Sequence, residues 1–274
     1  MRVLLFVLVL AFSNVSAQTK QKDGVEVQKS HLLLLPASTV ERSANQQYQQ
    51  LMQAAAQKNL LNNDKAQLER LHAIARALIP QSQRFNANAA KWQWEVNLIS
   101  SKTVNAFCMP GGKIAFFTGI IDSLQLTDDE IATIMGHEIG HALLEHGRAR
   151  MSEQVLQNVG ISVAAALLNL GQVSTELLAQ ATNLAVSLPY ARQQESDADL
   201  VGLELAARAG HDPRAAVVVW QKMSALAQAS AKRGGGGQPP QFLSTHPSNE
   251  NRIKEIQASL PRVLPLYEAA PKSR

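Results

Sequence analysis

The chain has 274 residues, 46% hydrophobic and 18% charged, a composition that excludes a disordered polypeptide and leaves room for one large domain or two small ones. Lys and Arg number 26 against 22 Asp and Glu, a net charge of +4 spread without any run of five basic residues, which argues against a nucleic-acid-binding surface. Cys108 is the only cysteine, so an intrachain disulfide is excluded and stability must come from the core, helped by a metal if one binds.

Arg2, the apolar stretch Val3–Phe12 and the small residues Val15-Ser16-Ala17 have the order of a signal peptide. The expectation is cleavage after Ala17 and export to the periplasm, the stretch being short for a membrane span. Residues 18–36 read as an arm or linker, and 37–274 as the main domain. Ser38–Lys58 and Asn62–Leu78 have helical character, with Asp64 placed to cap the second and Pro80 to end it. Trp92, Trp94, Val96 and Leu98 alternate with polar residues, which predicts a strand with one buried face. Val104–Cys108 and Lys113–Phe117 predict two more, joined by a turn at Pro110-Gly111-Gly112.

A helix is expected from Thr127 to about Arg150, because Thr127 and Glu130 form a capping box and Asp128 and Asp129 suit its first turn. Further helices are expected near 152–170, 175–187, 191–209, 213–229 and 249–260. The apolar segment 155–170 is interrupted by polar residues and reads as a buried or amphipathic helix, one able to lie on a membrane or over a cleft. Gly234–Gly237 before Pro239-Pro240 reads as a flexible loop.

The chemistry lies in His137-Glu138-Ile139-Gly140-His141. On a helix the two histidines point the same way, one turn apart, so both imidazoles can reach one ion. Glu138 stands 100° from His137, beside such an ion, where it can take a proton from water activated there. Gly136 and Gly140 share a neighbouring face and would admit another element closely; on a solvated helix they would only cost stability, about 1 kcal/mol each.

Two histidines leave a catalytic zinc one ligand short. His146, nine residues after His137, would face about 180° away on a continuous helix. The metzincin pattern needs Gly and His where Leu144 and Gly147 stand, so it fails. Glu195 is the better candidate, and Asp199, four residues on, can orient a ligand histidine, although an acidic helix face can also be merely solvated.

Three motifs together resemble peptidase family M48: His137 to His141, Arg192-x-x-Glu195-x-x-Ala198-Asp199, and Asn105-Ala106-Phe107 with Pro110-Gly111-Gly112-x-Ile114 and Gly119. The resemblance covers roughly positions 90 to 255. It implies an α+β, predominantly helical, gluzincin-type zincin with a small sheet beside the active-site helix. One zinc would be held by His137, His141 and Glu195, with Glu138 as base and Asp199 as proton donor or orienting group. Thr245-His246-Pro247 resembles a further family motif, making His246 a site histidine able to approach the zinc, stabilise an oxyanion or act as a switch. The strand near Asn105–Cys108 resembles the family's cleft edge, to which an extended polypeptide can add. The expectation is a metalloendopeptidase of the short, soluble envelope type, acting on misfolded or unassembled envelope proteins and able to touch the membrane or envelope proteins peripherally. The alternatives are a chaperone-like client-binding protein with suppressed proteolysis and a structural zinc protein. Cys108 reads as a buried small hydrophobe, and His31, His72 and His211 as structural or exposed.

Overall fold

The computed structural model describes residues 24–27, 33–156, 191–232, 240–247 and 250–271. The expected signal segment, the apolar stretch beyond residue 156, the helix expected over 175–187 and the Gly-rich loop lie outside these residues.

Helix α1 (Ala37–Gln57) buries Val40, Ala44, Tyr48 and Met52, a stripe at four-residue spacing. Tyr48 anchors it to the sheet by donating its hydroxyl to Ile114 O at 2.6 Å. Helix α2 (Lys65–Leu78) starts where Asp64 accepts from Gln67 N at 2.9 Å, as expected. Pro80 stops the α-helical bonding, and the chain continues in two 3-10 turns, Ile79–Arg84 and Ala87–Lys91. The second turn shortens the expected first strand: Trp92 N donates back to Ala89 O, so pairing begins only at Glu95. Trp92 and Trp94 precede the strand and pack on each other, ring centroids 5.3 Å apart.

Strands β1 (Glu95–Ile99), β2 (Ala106–Met109) and β3 (Lys113–Phe117) form one sheet in the order β1-β3-β2. β3 runs parallel to β1 and antiparallel to β2, leaving β2 at an edge. Gly111 and Gly112, at φ 85° and 80°, make the expected turn in a region that side chains disfavour. Helix α3 (Thr118–Leu124) was not expected; it follows Phe117 directly.

Helix α4 (Asp128–Leu143) begins with the expected box, Glu130 N donating to Thr127 Oγ1 and Thr127 N to Glu130 Oε2. It stops seven residues before the expected end. Asn86 Nδ2 caps Leu143 O at 3.0 Å, Glu145 turns left-handed at φ 58°, and helix resumes as α5 over 146–156. Helices α6 (Arg192–Arg208), α7 (Ala215–Lys232), α8 (Gln241–Thr245) and α9 (Glu250–Ala269) complete the described residues. α9 passes through Pro261 and Pro265, where an end near Leu260 was expected. The two prolines are four apart, so their missing donors fall on one side of the helix, while Val263 between them is buried.

The core lies around α4, which is buried from Glu130 to Leu143. α6 packs along it at close range: a Cβ on Gly136 would stand 3.0 Å from Gly202 O, and one on Gly140 3.0 Å from Ala198 O. The two helical glycines thus serve the close approach that their spacing implies. Pieces of the expected arm also lie against the body. Val25 N donates to Glu204 Oε2 at 2.6 Å, and Arg148 Nε donates to Leu35 O at 2.6 Å. The fold is α+β and predominantly helical, with a small sheet beside α4. Among the described residues no helix is long and apolar enough to cross a membrane.

Candidate metal centre

Four segments carry the site. α4 presents His137 and His141 on successive turns with Glu138 beside His137, and α6, held close by the glycine contacts, brings Glu195 and Asp199 opposite them. His246 follows α8, and Arg252 stands in the first turn of α9. His137, His141, Glu195 and His246 converge: one donor atom from each lies within 4.8 Å of all the others, and all four residues are buried. His141 Nε2 is 3.1 Å from His137 Nε2 and 3.3 Å from Glu195 Oε1. His246 Nδ1 is 3.2 Å from His137 Nε2 and 3.1 Å from Glu195 Oε1.

The outward nitrogen of His137 has an anionic partner, Asp199 Oδ1 at 2.9 Å. A carboxylate only accepts, so His137 donates from Nδ1, and in its neutral form the ring leaves Nε2 as a lone pair toward the cluster. Arg252 neutralises both acids, reaching Asp199 Oδ2 through Nε at 2.8 Å and Glu195 Oε2 through Nη1 at 2.6 Å. Its guanidinium lies over the Trp220 ring, 3.8 Å from the centroid. Burial alone would raise the carboxyls of Glu195 and Asp199. His246 and His141 around Glu195, and Arg252 and His137 around Asp199, hold them below the usual range. Burial pushes Glu138 up, against the pull of His246 and His137. Burial would lower His137, but Asp199 and Glu195 carry it up, whereas His141 is held well below the imidazole range by its burial.

Lone pairs of this kind crowded around a carboxylate fit a cation, and a set of imidazole and carboxylate donors suits zinc. Three residues of the set are the ligands expected from sequence, and the fourth is His246, expected as a site histidine able to approach the zinc. Asp199 is in contact with His137 rather than with the centre. Glu138 points beside the cluster, its Oε1 buried without a hydrogen bond and 3.5 Å from His246 Nε2. A cleft of about 610 Å³, including its open mouth, adjoins Glu138 and is lined by Asn105, Phe107, Met109, Arg150 and Thr245 among others. β2 therefore forms a wall of this cleft, as expected for the cleft edge. Cys108 is buried, as expected, and burial raises its thiol's pKa.

His146 is where the helical extrapolation goes astray. The break at Leu144 and Glu145 swings it back, and its Nδ1 lies 2.9 Å from His141 Nδ1. It stays outside the converging set, and burial takes its pKa down to about 3. Its nearness in sequence was the only available signal. Trp220 was equally hidden, since a tryptophan on an apolar helix reads as core. His72 contacts Val96 O at 3.0 Å and His211 contacts Asp129 Oδ1 at 2.9 Å, which fits structural roles, whereas His31 lies outside the described residues.

A helical zincin-like fold with a buried His–His–Glu–His cluster is the class that this geometry defines. The sequence profile of peptidase family M48 matches residues 65–260, which include all of these residues, and the chain belongs to that family. It is 38% identical over 161 residues to the mitochondrial metalloendopeptidase OMA1 of Arabidopsis thaliana, covering 59% of this chain and 30% of that protein. To the mitochondrial metalloendopeptidase OMA1 of Bos taurus it is 28% identical over 248 residues, 88% of this chain and 46% of the other. It is also 27% identical over 191 residues to the beta-barrel assembly-enhancing protease of Escherichia coli O157:H7, covering 66% of this chain and 37% of that one. The chain spans less than half the length of each of these relatives.

Proposed function

We propose that this chain is a zinc-dependent endopeptidase in which His137, His141 and Glu195 hold one zinc and Glu138 is the general base. The observation that carries the proposal is the convergence of His137 Nε2, His141 Nε2 and Glu195 Oε1, with Glu138 next to them on the cleft side. Membership of a peptidase family and the metalloendopeptidase names of the relatives support it. When bound, zinc supplies Lewis acidity, lowering the pKa of water and polarising a carbonyl.

The remaining work falls to the chain. An extended polypeptide adds to the edge of β2 and lays its scissile bond beside Glu138. Glu138 takes the proton from the attacking water and passes it to the leaving amine, and the raised carboxyl pKa brought by burial suits an acceptor that must also give the proton back. Asp199 keeps His137 in the tautomer that faces the centre, and Arg252 keeps Asp199 and Glu195 charged. Glu138→Gln should retain zinc and lose cleavage of casein by about 10²- to 10⁴-fold. Retained turnover would sink the mechanism.

His246 supports a second state of the same site. Seated against His137, Glu195 and Glu138, it occupies the position that substrate and water need, so the site is closed by its own histidine. Such a state fits suppressed proteolysis with client binding. His246→Ala should cleave casein several-fold faster at equal zinc occupancy; an unchanged rate and zinc affinity would remove His246 from the mechanism.

The setting proposed is the bacterial periplasm, with misfolded or unassembled envelope proteins as substrates. The signal-like run ending at Ala17 and the similarity to the beta-barrel assembly-enhancing protease support it. Cell fractionation checks it: the protein should be released with the periplasm, shortened by 17 residues if cleaved after Ala17.

A further inference from the structure

The two histidines of α4 both keep their outward nitrogen on a partner, but the partners differ in kind. For His137 it is a carboxylate, and for His141 it is another imidazole, with Nδ1 to Nδ1 at 2.9 Å. Two ring nitrogens at that distance share one proton, one donating and one accepting. The rings are 5.0 Å apart and inclined by 70°, and both residues are buried.

The chain is built to deliver His146 to that spot. On an unbroken helix a residue five places after His141 would be turned about 140° away. Here α4 ends at Leu143, Glu145 takes φ 58°, and His146 opens α5 facing back toward α4. The break is held from two sides. Asn86 caps Leu143 O, and Arg148 Nη1 pairs with Glu145 Oε1 at 2.7 Å while its Nε holds Leu35 O.

We infer that His146 is a positioning residue for the metal centre: it accepts the Nδ1–H of His141 and thereby keeps His141 Nε2 as a lone pair directed at Glu195 and His137. The inference rests on the zinc reading above. Partners of this kind fix the tautomer and ring orientation of a ligand histidine. The arrangement also makes the two ligands unequal, because an anion sits behind His137 and a neutral ring behind His141. His141 is then the weaker donor, the one whose hold on the ion depends most on orientation.

Zinc affinity, read by competition with a chromophoric chelator on the full chain, is the first test. His146→Leu should weaken binding about 10- to 100-fold. His146→Gln, whose amide oxygen can accept the same proton, should recover most of the loss. The second test uses wild type, so it holds even if a variant fails to fold. In the zinc-loaded protein, imidazole ¹⁵N spectra should find His141 Nδ1 protonated and His146 Nδ1 unprotonated, with coupling between them across the hydrogen bond. A His146→Leu affinity within twofold of wild type, or a protonated His146 Nδ1, overturns the inference alone. A wild-type chain that takes up no zinc overturns the zinc reading and this inference together.

Discussion

Arg252 is a buried cation held between two buried acids. Its side chain is 3% exposed and ion-paired to two acids that are 1% and 6% exposed. Removing one partner of such a cluster leaves charges buried without compensation, so Arg252→Ala should destabilise the zinc-free protein by about 3–5 kcal/mol in denaturant unfolding. Arg252→Lys should be milder in stability but still weaken zinc binding, because one ammonium cannot span both carboxylates as a planar guanidinium does. Tyr48 gives a cleaner single-residue test, since it is remote in role from the centre. Burial, with the Glu95 charge, raises its phenol pKa despite the hydrogen bond from Asn97. A group whose folded pKa is raised contributes fully below its unfolded value, near 10, and that contribution is lost as pH rises toward the folded value. Wild type should therefore lose stability above about pH 10 more steeply than Tyr48→Phe, which should cost about 1 kcal/mol at neutral pH from its hydrogen bonds. Equal alkaline slopes in denaturant unfolding at pH 7 to 11 would refute this.

At the scale of elements, the site depends on how closely α6 lies on α4. A Cβ on Gly202 would stand 2.8 Å from His137 N, which is backbone and cannot swing aside. Alanine is the better helix former by about 1 kcal/mol, yet separating the helices should win, and Gly202→Ala should destabilise by about 1–3 kcal/mol net. Because the displaced backbone carries His137, zinc affinity should fall with it. Gly147 is the control: a Cβ there meets only Pro110 Cγ at 3.8 Å, ordinary contact, and Gly147→Ala should be neutral or slightly stabilising. A stabilised Gly202→Ala would show that the close approach of the helices is not limiting. The sheet shows the same dependence on neighbours. β1 starts at Glu95 rather than at Trp92 because a 3-10 turn claims the Trp92 N–H first, and the alternation of Trp92, Trp94, Val96 and Leu98 carries no sign of that competition.

For the molecule as a whole, the converging donors come from α4, α6 and the residue after α8, so a bound ion ties together segments up to 109 residues apart. A ligand that binds only the folded state stabilises it by mass action, by about 4 kcal/mol at a free concentration 1,000-fold above its Kd. Chelation should therefore lower the Tm by several degrees, and Glu195→Gln should show a much smaller difference between its zinc-loaded and chelated forms. Calorimetry with and without chelator measures both, and equal shifts in the two proteins would remove Glu195 from the ligand set.

The sequence alone determines what is decided within a few residues. The box at Thr127 and Glu130 starts α4, Asp64 starts α2, Pro110-Gly111-Gly112 turns β2 into β3, and four-residue spacing aligns His137 with His141. Each of these depends on one turn of backbone and its own side chains. Glu195 and Asp199 were legible for the same reason, as a pair on one helical face, but their meeting with α4 had to await the packing of Gly136 and Gly140 on Gly202 and Ala198. The break at Glu145 carries neither Gly nor Pro, and a cap from Asn86 and an ion pair from Arg148 hold it. α9 survives two prolines because its buried face packs on the core. The positions of His146, His246 and Arg252 around the centre are likewise tertiary, since no local rule sets the distance between side chains on separate elements; only the close packing of those elements does.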